Sequence, residues 1–181
     1  CALQLGIGLD EAAEALRTAH GVKGRVEVVP TPGKPYTVLI DYAHTPDGLE
    51  NVLSAVRGFC KGRLISVFGC GGNRDPKKLP IMGGIGVALS DIAIITSDNP
   101  RTEEPMAIIG DILKGISQEK NNYKVIENRP SAIHYAMDIG QKDDIIVLAG
   151  KGHETYQEIH GVKHHLDERE VVAQYLAETR R

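Results

Sequence analysis

Three things are missing from this sequence. No segment approaches the roughly 18 consecutive apolar residues that a membrane-crossing helix requires, although 41% of the 181 residues are hydrophobic. No run of lysine and arginine stands out and the net charge is −3, so the chain has no broad basic face for a polyanion, and nucleic acid is not an expected partner. Cysteine is scarce: Cys1, Cys60 and Cys70 are scattered, odd in number and without a Cys-x-x-Cys pair, which suits neither a disulfide framework nor a zinc site. Reduced structural thiols are expected. The opening residues, "CALQLGIGLDEAAEAL", also lack the basic start and cleavage site of a secretory leader, which predicts a cytoplasmic protein without membrane association.

What is present is an ordinary globular composition with 25% charged residues, the size of one domain with a possible appendage. The stretch "GLDEAAEALRTAHGVKG" reads as a helix capped by Asp10 that runs into a glycine-punctuated link. It resembles the end of something, so the chain is expected to be the C-terminal part of a longer protein.

After Gly24 the pattern alternates. Short β-branched runs at 26–30, 36–43, 63–70, 91–98, 123–128 and 144–152 are separated by stretches with helical spacing. In "TPDGLENVLSAVRGFC", Thr45 is the expected N-cap, Pro46 the first turn, and Leu49, Val52, Leu53 and Val56 the inward face. Met106, Ile109, Leu113 and Ile116 are the expected inward face of a second helix, and Ile133, Ala136 and Met137 of a third. The tail, with acids early and Arg180-Arg181 late, suits a helix dipole. "YQEIHGVKHHLD" reads as a hairpin around Gly161. The expected fold is α/β: a Rossmann-like, mostly parallel six-stranded sheet with helices on both faces and a late antiparallel strand or hairpin.

In such a sheet ligands bind beyond the carboxyl ends of the strands. The polar stretches "DYAHTPD", "GCGGNRD", "SDNPRTEE", "ENRPS" and "AGKGHE" all fall there and are expected to line one rim. Glycines let amides approach an anion, and Arg74 offers a planar fork for a carboxylate or phosphate; the same stretch also reads as a flexible turn beside solvated charges. Pro100 stiffens the next loop, so that Arg101 is aimed beside Asp98, an arrangement suited to a zwitterion. That loop reads equally as a capped helix start with Glu103 and Glu104 in its first turn. Lys151, His153 and Glu154 crowd four positions of the last loop. Asp41 and His44 sit at another strand end, where an Asp accepts ribose hydroxyls or pairs with a neighbour. His20, His134, His160, His164 and His165 show no metal-ligand spacing, and no metal site is assigned.

Taken together, "GRVEVV", "DYAHTPDGLENVL", "FGCGGNRD", "SDNPRTEEP" and "LAGKGHE" resemble, in order and spacing, the C-terminal region of the Mur ligases over nearly the whole chain. "DNPR" looks like the members that add meso-diaminopimelate, whereas lysine-adding members depart at the arginine. The resemblance implies an ATP-dependent amide ligase of peptidoglycan precursor synthesis. ATP would phosphorylate the D-glutamyl carboxylate of UDP-MurNAc-L-Ala-D-Glu, and the amine of meso-diaminopimelate would attack the acyl phosphate. By similarity Arg74, Asp98, Asn99, Pro100, Arg101, Gly150 and Glu154 match positions that hold the amino acid, and Arg25, Asp41 and His44 match positions that close over ATP. Residues 1–21 resemble the last helix of a central ATPase domain and 22–181 the amino-acid-binding domain. Magnesium ligands and a P-loop belong to that central domain, so these residues alone are expected to be catalytically inactive. Two rival expectations are a free-standing amino-acid or nucleotide binding domain and the C-terminal domain of a folate-type polyglutamate ligase.

Overall fold

The computed structural model describes residues 1–18 and 21–179; His20 and the Arg180-Arg181 end lie outside the described residues. A short 3-10 turn at Leu3–Leu5 and helix α1 (Leu9–Thr18) come first, with Asp10 inside the first turn of α1 rather than before it. Then follow β1 (Glu27–Val29), β2 (Thr37–Asp41), α2 (Pro46–Arg57), β3 (Leu64–Phe68), α3 (Lys78–Leu89), β4 (Ile92–Ile95) and α4 (Pro105–Leu113). The chain continues through β5 (Tyr123–Val125), α5 (Arg129–Asp138), β6 (Ile145–Ala149), β7 (Tyr156–Ile159), β8 (Val162–His165) and α6 (Glu168–Glu178).

Six strands form one sheet in the order β1-β2-β6-β3-β4-β5. The strands from β2 to β5 across the sheet run parallel. The antiparallel member is the first strand, β1 against β2, and not a late one. The late hairpin does turn at Gly161, where φ is +76°, but it makes a separate two-stranded sheet.

Side chains along each central strand alternate between two cores. Ile145, Val147 and Ala149 of β6 join α2, α3 and α4 on one face, while Ile146 and Leu148 join α5 and α6 on the other. Strands covered on both faces need apolar residues at every position, which is why they read as continuous runs.

Local signals start the helices. Thr45 Oγ1 accepts a hydrogen bond from the Gly48 amide at 3.2 Å, Pro46 opens α2, and Leu49, Val52, Leu53 and Val56 are buried as expected. Asn128 caps α5 in the same way, and Ile133, Ala136 and Met137 face inward. In α4 the buried stripe is Ile108, Ile109 and Ile112. Met106 is 50% exposed, and Leu113 and Ile116 pack only partly against the core, Ile116 from beyond the last turn. An apolar nine-residue helix fits either stripe, and packing against the sheet selects between them. Helix α3 has no counterpart in the sequence pattern, because Pro80, Gly83, Gly84 and Gly86 signal a turn. A Cβ on Gly83 would collide with the Ile112 carbonyl and one on Gly86 with the Phe68 ring, so these glycines permit close helix packing.

Helix α1 stands apart. Leu3, Leu5, Leu9 and Leu16 are exposed, and no residue of 1–17 joins either core.

Candidate functional site

At the carboxyl ends of the parallel strands, the loops after β2, β3, β4 and β6 enclose a cleft of about 240 Å³. Arg74 lines it from the β3 loop, Asp98, Asn99 and Arg101 from the β4 loop, and Gly150 and Glu154 from the β6 loop. Pro100 is a chain neighbour of these residues but does not line the cleft. The β5 loop, expected on the same rim, contributes nothing to this cleft; its Arg129 turns inward beneath the floor and is fully buried.

Arg101 is held rather than merely present. Its φ is +56°, a left-handed conformation that a long side chain rarely adopts and that costs of order 1 kcal/mol or more. The backbone is fixed there by β7: the Arg101 amide donates to the Glu158 carbonyl at 3.0 Å, and its own carbonyl accepts from the His160 amide at 2.5 Å. Arg101 Nη1 donates to the Gly72 carbonyl at 2.6 Å, and Nε lies 3.7 Å from Glu158 Oε2. Gly71 leaves the guanidinium its space, since a Cβ there would sit 2.8 Å from Nη1. Arg74 differs: it is exposed, and among the described residues its guanidinium has no ion pair.

Asn99 organises the acidic side. Its Oδ1 accepts from Lys151 Nζ at 3.0 Å and from the Glu158 amide at 2.9 Å, and its Nδ2 donates to Glu154 Oε2 at 2.8 Å. Lys151, expected on the rim, is fully buried. It donates to the Tyr156 carbonyl at 2.7 Å and lies 3.5 Å from Glu154 Oε2. Burial lowers its pKa, and the Asp98 charge 3.9 Å away works against that shift. Lys151 is therefore part of the cleft's frame.

A second depression of about 360 Å³ adjoins the first and brings together Arg25, Asp41 and His44. The Arg25 guanidinium lies over the Tyr42 ring at 5.2 Å, and His44 packs on the same ring at 4.5 Å. Asp41 Oδ2 accepts from the Val26 amide at 2.8 Å and Oδ1 from the Ala43 amide at 2.9 Å. Among the described residues no group of three His, Cys, Asp or Glu side chains is placed to hold a metal ion.

Chemically, the first cleft sets a free guanidinium and an oriented one against two carboxylates. Guanidinium forks match carboxylates and carboxylates match ammonium groups, so the arrangement suits a small zwitterion. Sequence reasoning missed Arg129 and Glu168, both fully buried, because nothing local distinguishes a buried charge from a surface one.

Known proteins share this chain's pattern. A family model described as "Mur ligase, glutamate ligase domain" matches residues 24–152. UDP-N-acetylmuramoyl-L-alanyl-D-glutamate--2,6-diaminopimelate ligase of Clostridioides difficile (strain 630) is 55% identical over 173 residues, 96% of this chain and 36% of that protein. The protein of the same name from Clostridium tetani (strain Massachusetts / E88) is 55% identical over 175 residues, 96% of this chain and 36% of its own length. The chain thus spans about a third of the length of the curated relatives it matches. A solved structure of a ligase of that name superposes with a TM-score of 0.84 at 37% identity, covering 99% of this chain and 37% of the other. A folylpolyglutamate synthase from Thermotoga maritima shares the fold alone, with a TM-score of 0.55 at 22% identity over 80% of this chain and 31% of that one.

Proposed function

The chain belongs to the Mur ligase family, and from that premise we propose that it forms the amino-acid-binding part of an ATP-dependent amide ligase of peptidoglycan synthesis. The full ligase would join meso-diaminopimelate to UDP-MurNAc-L-Ala-D-Glu. ATP would give its terminal phosphoryl group to the D-glutamyl carboxylate and leave as ADP; the amine would then displace phosphate and an amide would form. Arg74 and Arg101 would receive carboxylates of the incoming amino acid, Asp98 and Glu154 would receive an ammonium, Asn99 and Gly150 would shape the wall between them, and Pro100 would stiffen the loop. Arg25 and His44, stacked on Tyr42, would close over the nucleotide from this side, with Asp41 holding their loop. Magnesium is assigned to the central part of the ligase. Residues 1–21 would complete that ATPase domain and 22–181 would form the amino-acid domain, a division supported by the leucines of α1 that pack in neither core. The reaction would take place in the cytoplasm.

The observation that carries this reading is the convergence of two arginines and two acids from three loops on one cleft. Meso-diaminopimelate differs from lysine by one distal carboxylate. A site that hydrogen-bonds this group leaves an arginine unpaired when lysine enters, which can reject lysine by roughly 10⁴-fold, far beyond what shape achieves. In the full-length ligase Arg101→Ala is expected to raise the apparent KM for meso-diaminopimelate about 10- to 100-fold, the worth of one charged hydrogen bond, and to narrow the preference over lysine. The KM for ATP should stay as it was. Steady-state kinetics with both amino acids decide the matter: unchanged discrimination removes the assigned role. A binding module without chemistry would present the same cleft, but 55% identity to named ligases over 96% of the chain favours the ligase.

A further inference from the structure

We propose that Arg129 is a positioning residue of the cleft and acts through Asp98, an inference that rests on reading the cleft as an amino-acid site.

Arg129 opens α5 and is fully buried. Two of its three nitrogens are anchored. Nε donates to Glu168 Oε1 at 2.8 Å, and Nη2 donates to the Ala149 carbonyl, the last of β6, at 2.8 Å. A guanidinium is planar, so two anchors fix the direction of the third nitrogen. That nitrogen, Nη1, lies 3.8 Å from Asp98 Oδ2. Among the described residues neither atom has a hydrogen-bond partner, and both are shut off from solvent.

Asp98 depends on this neighbour. Among the described residues no donor hydrogen-bonds its carboxylate, although it lines the cleft. Two buried cations face it, Arg129 at 3.8 Å and Lys151 at 3.9 Å. Lys151 is already committed to Asn99 Oδ1 and the Tyr156 carbonyl. Arg129, anchored from behind by the first residue of α6, is the cation free to steady the acid as a ligand's ammonium meets it. Burial works against the Arg129 charge, but Glu168 and Asp98 outweigh it and raise its pKa, so the cation persists.

The test uses the full-length ligase and starts with Asp98→Asn, which should raise the KM for meso-diaminopimelate. Arg129→Lys keeps the charge and loses the fork. It should raise the same KM about tenfold, a coupling ordinary for contacting side chains, with kcat and the KM for ATP little changed. In the Asp98→Asn background the same substitution should add less than about twofold, because its target is already gone. Glu168→Gln, which is isosteric and leaves Nε a neutral acceptor in place of the charged one, should repeat the pattern at smaller size and carries the test if Arg129→Lys fails to fold. Equal, multiplicative effects in both backgrounds, or losses spread over kcat and both KM values, overturn the positioning role. An unchanged KM in Asp98→Asn overturns instead the amino-acid reading of the cleft.

Discussion

Asn99 makes three side-chain hydrogen bonds inside the protein, two accepted at Oδ1 and one donated from Nδ2. It braces the acidic side of the cleft that it lines. Arg101 is intermediate, tethered at Nη1 and restrained at Nε, whereas Arg74 is free to follow a ligand. Gly150 shows how little room remains. Its φ is +117°, and a Cβ there would lie 2.6 Å from Asp98 Oδ2. Gly150→Ala is therefore expected to strain the loop and displace the Asp98 carboxylate. It should lower the melting temperature and raise the KM for the amino acid more than that for ATP, both measurable on one preparation. At this scale the cleft was half legible. Arg74, Arg101 and Glu154 could be found as charges placed where strands end, but the same signal put Lys151 on the rim, where it is not. Whether a charge is solvated or paired in the interior depends on neighbours far away in the chain.

Helix α6 shows the same point for an element. Its early acids suit the helix dipole, an effect worth about 0.3–1 kcal/mol at an exposed end. Glu168, however, is fully buried against Arg129, and removing one partner of such a pair strands the other charge at a cost of about 3–5 kcal/mol. The buried pairing therefore outweighs the dipole and decides what this residue is for. Glu168→Ala should thus destabilise more than Asp167→Ala, which removes the N-cap bond to the Arg169 amide, worth about 1 kcal/mol, together with the ion pair to Arg169 Nη1 at 3.1 Å. Urea unfolding of the two single variants checks the ranking; comparable losses would show that the buried pair adds nothing beyond the cap. Helices with an N-cap and an amphipathic stripe, α2 above all, were legible from sequence. Helix α3 was not, because its glycines serve close approach to α4 and the sheet, a reason that exists only once those elements are packed.

Across the whole molecule, the ends of the strands opposite the cleft are tied by another charged pair. Asp144 Oδ2 accepts from Arg63 Nη2 at 2.7 Å and from the Gln141 amide at 2.8 Å, while Oδ1 accepts from the Arg63 amide at 2.7 Å. Burial would raise the carboxyl's pKa, yet the Arg63 bonds and the amide bonds overcome it and hold it below the ordinary 3.8. A depressed carboxyl stabilises the fold fully above its unfolded value and loses that contribution as pH falls through the folded one. The melting-temperature gap between the native chain and Asp144→Asn is therefore expected to be constant above about pH 5 and to shrink as the solution is acidified below 3.8. A gap that does not vary with pH would assign the cost of the substitution to packing instead.

The sequence by itself determined the fold class and most of the elements, α3 excepted, since the length and period of each apolar run and its caps are local properties: six strands, helices between most of them, polar loops at the strand ends. Only the tertiary structure decided that β6 inserts between β2 and β3, that β1 runs antiparallel, and that Arg129, Lys151 and Glu168 lie inside. Strand order brings Gly150 and Glu154 opposite Arg74 and Arg101, and it is fixed by which faces bury together. Those contacts join residues more than fifty positions apart, and the desolvation they impose on a charge leaves no mark on its neighbours in the chain.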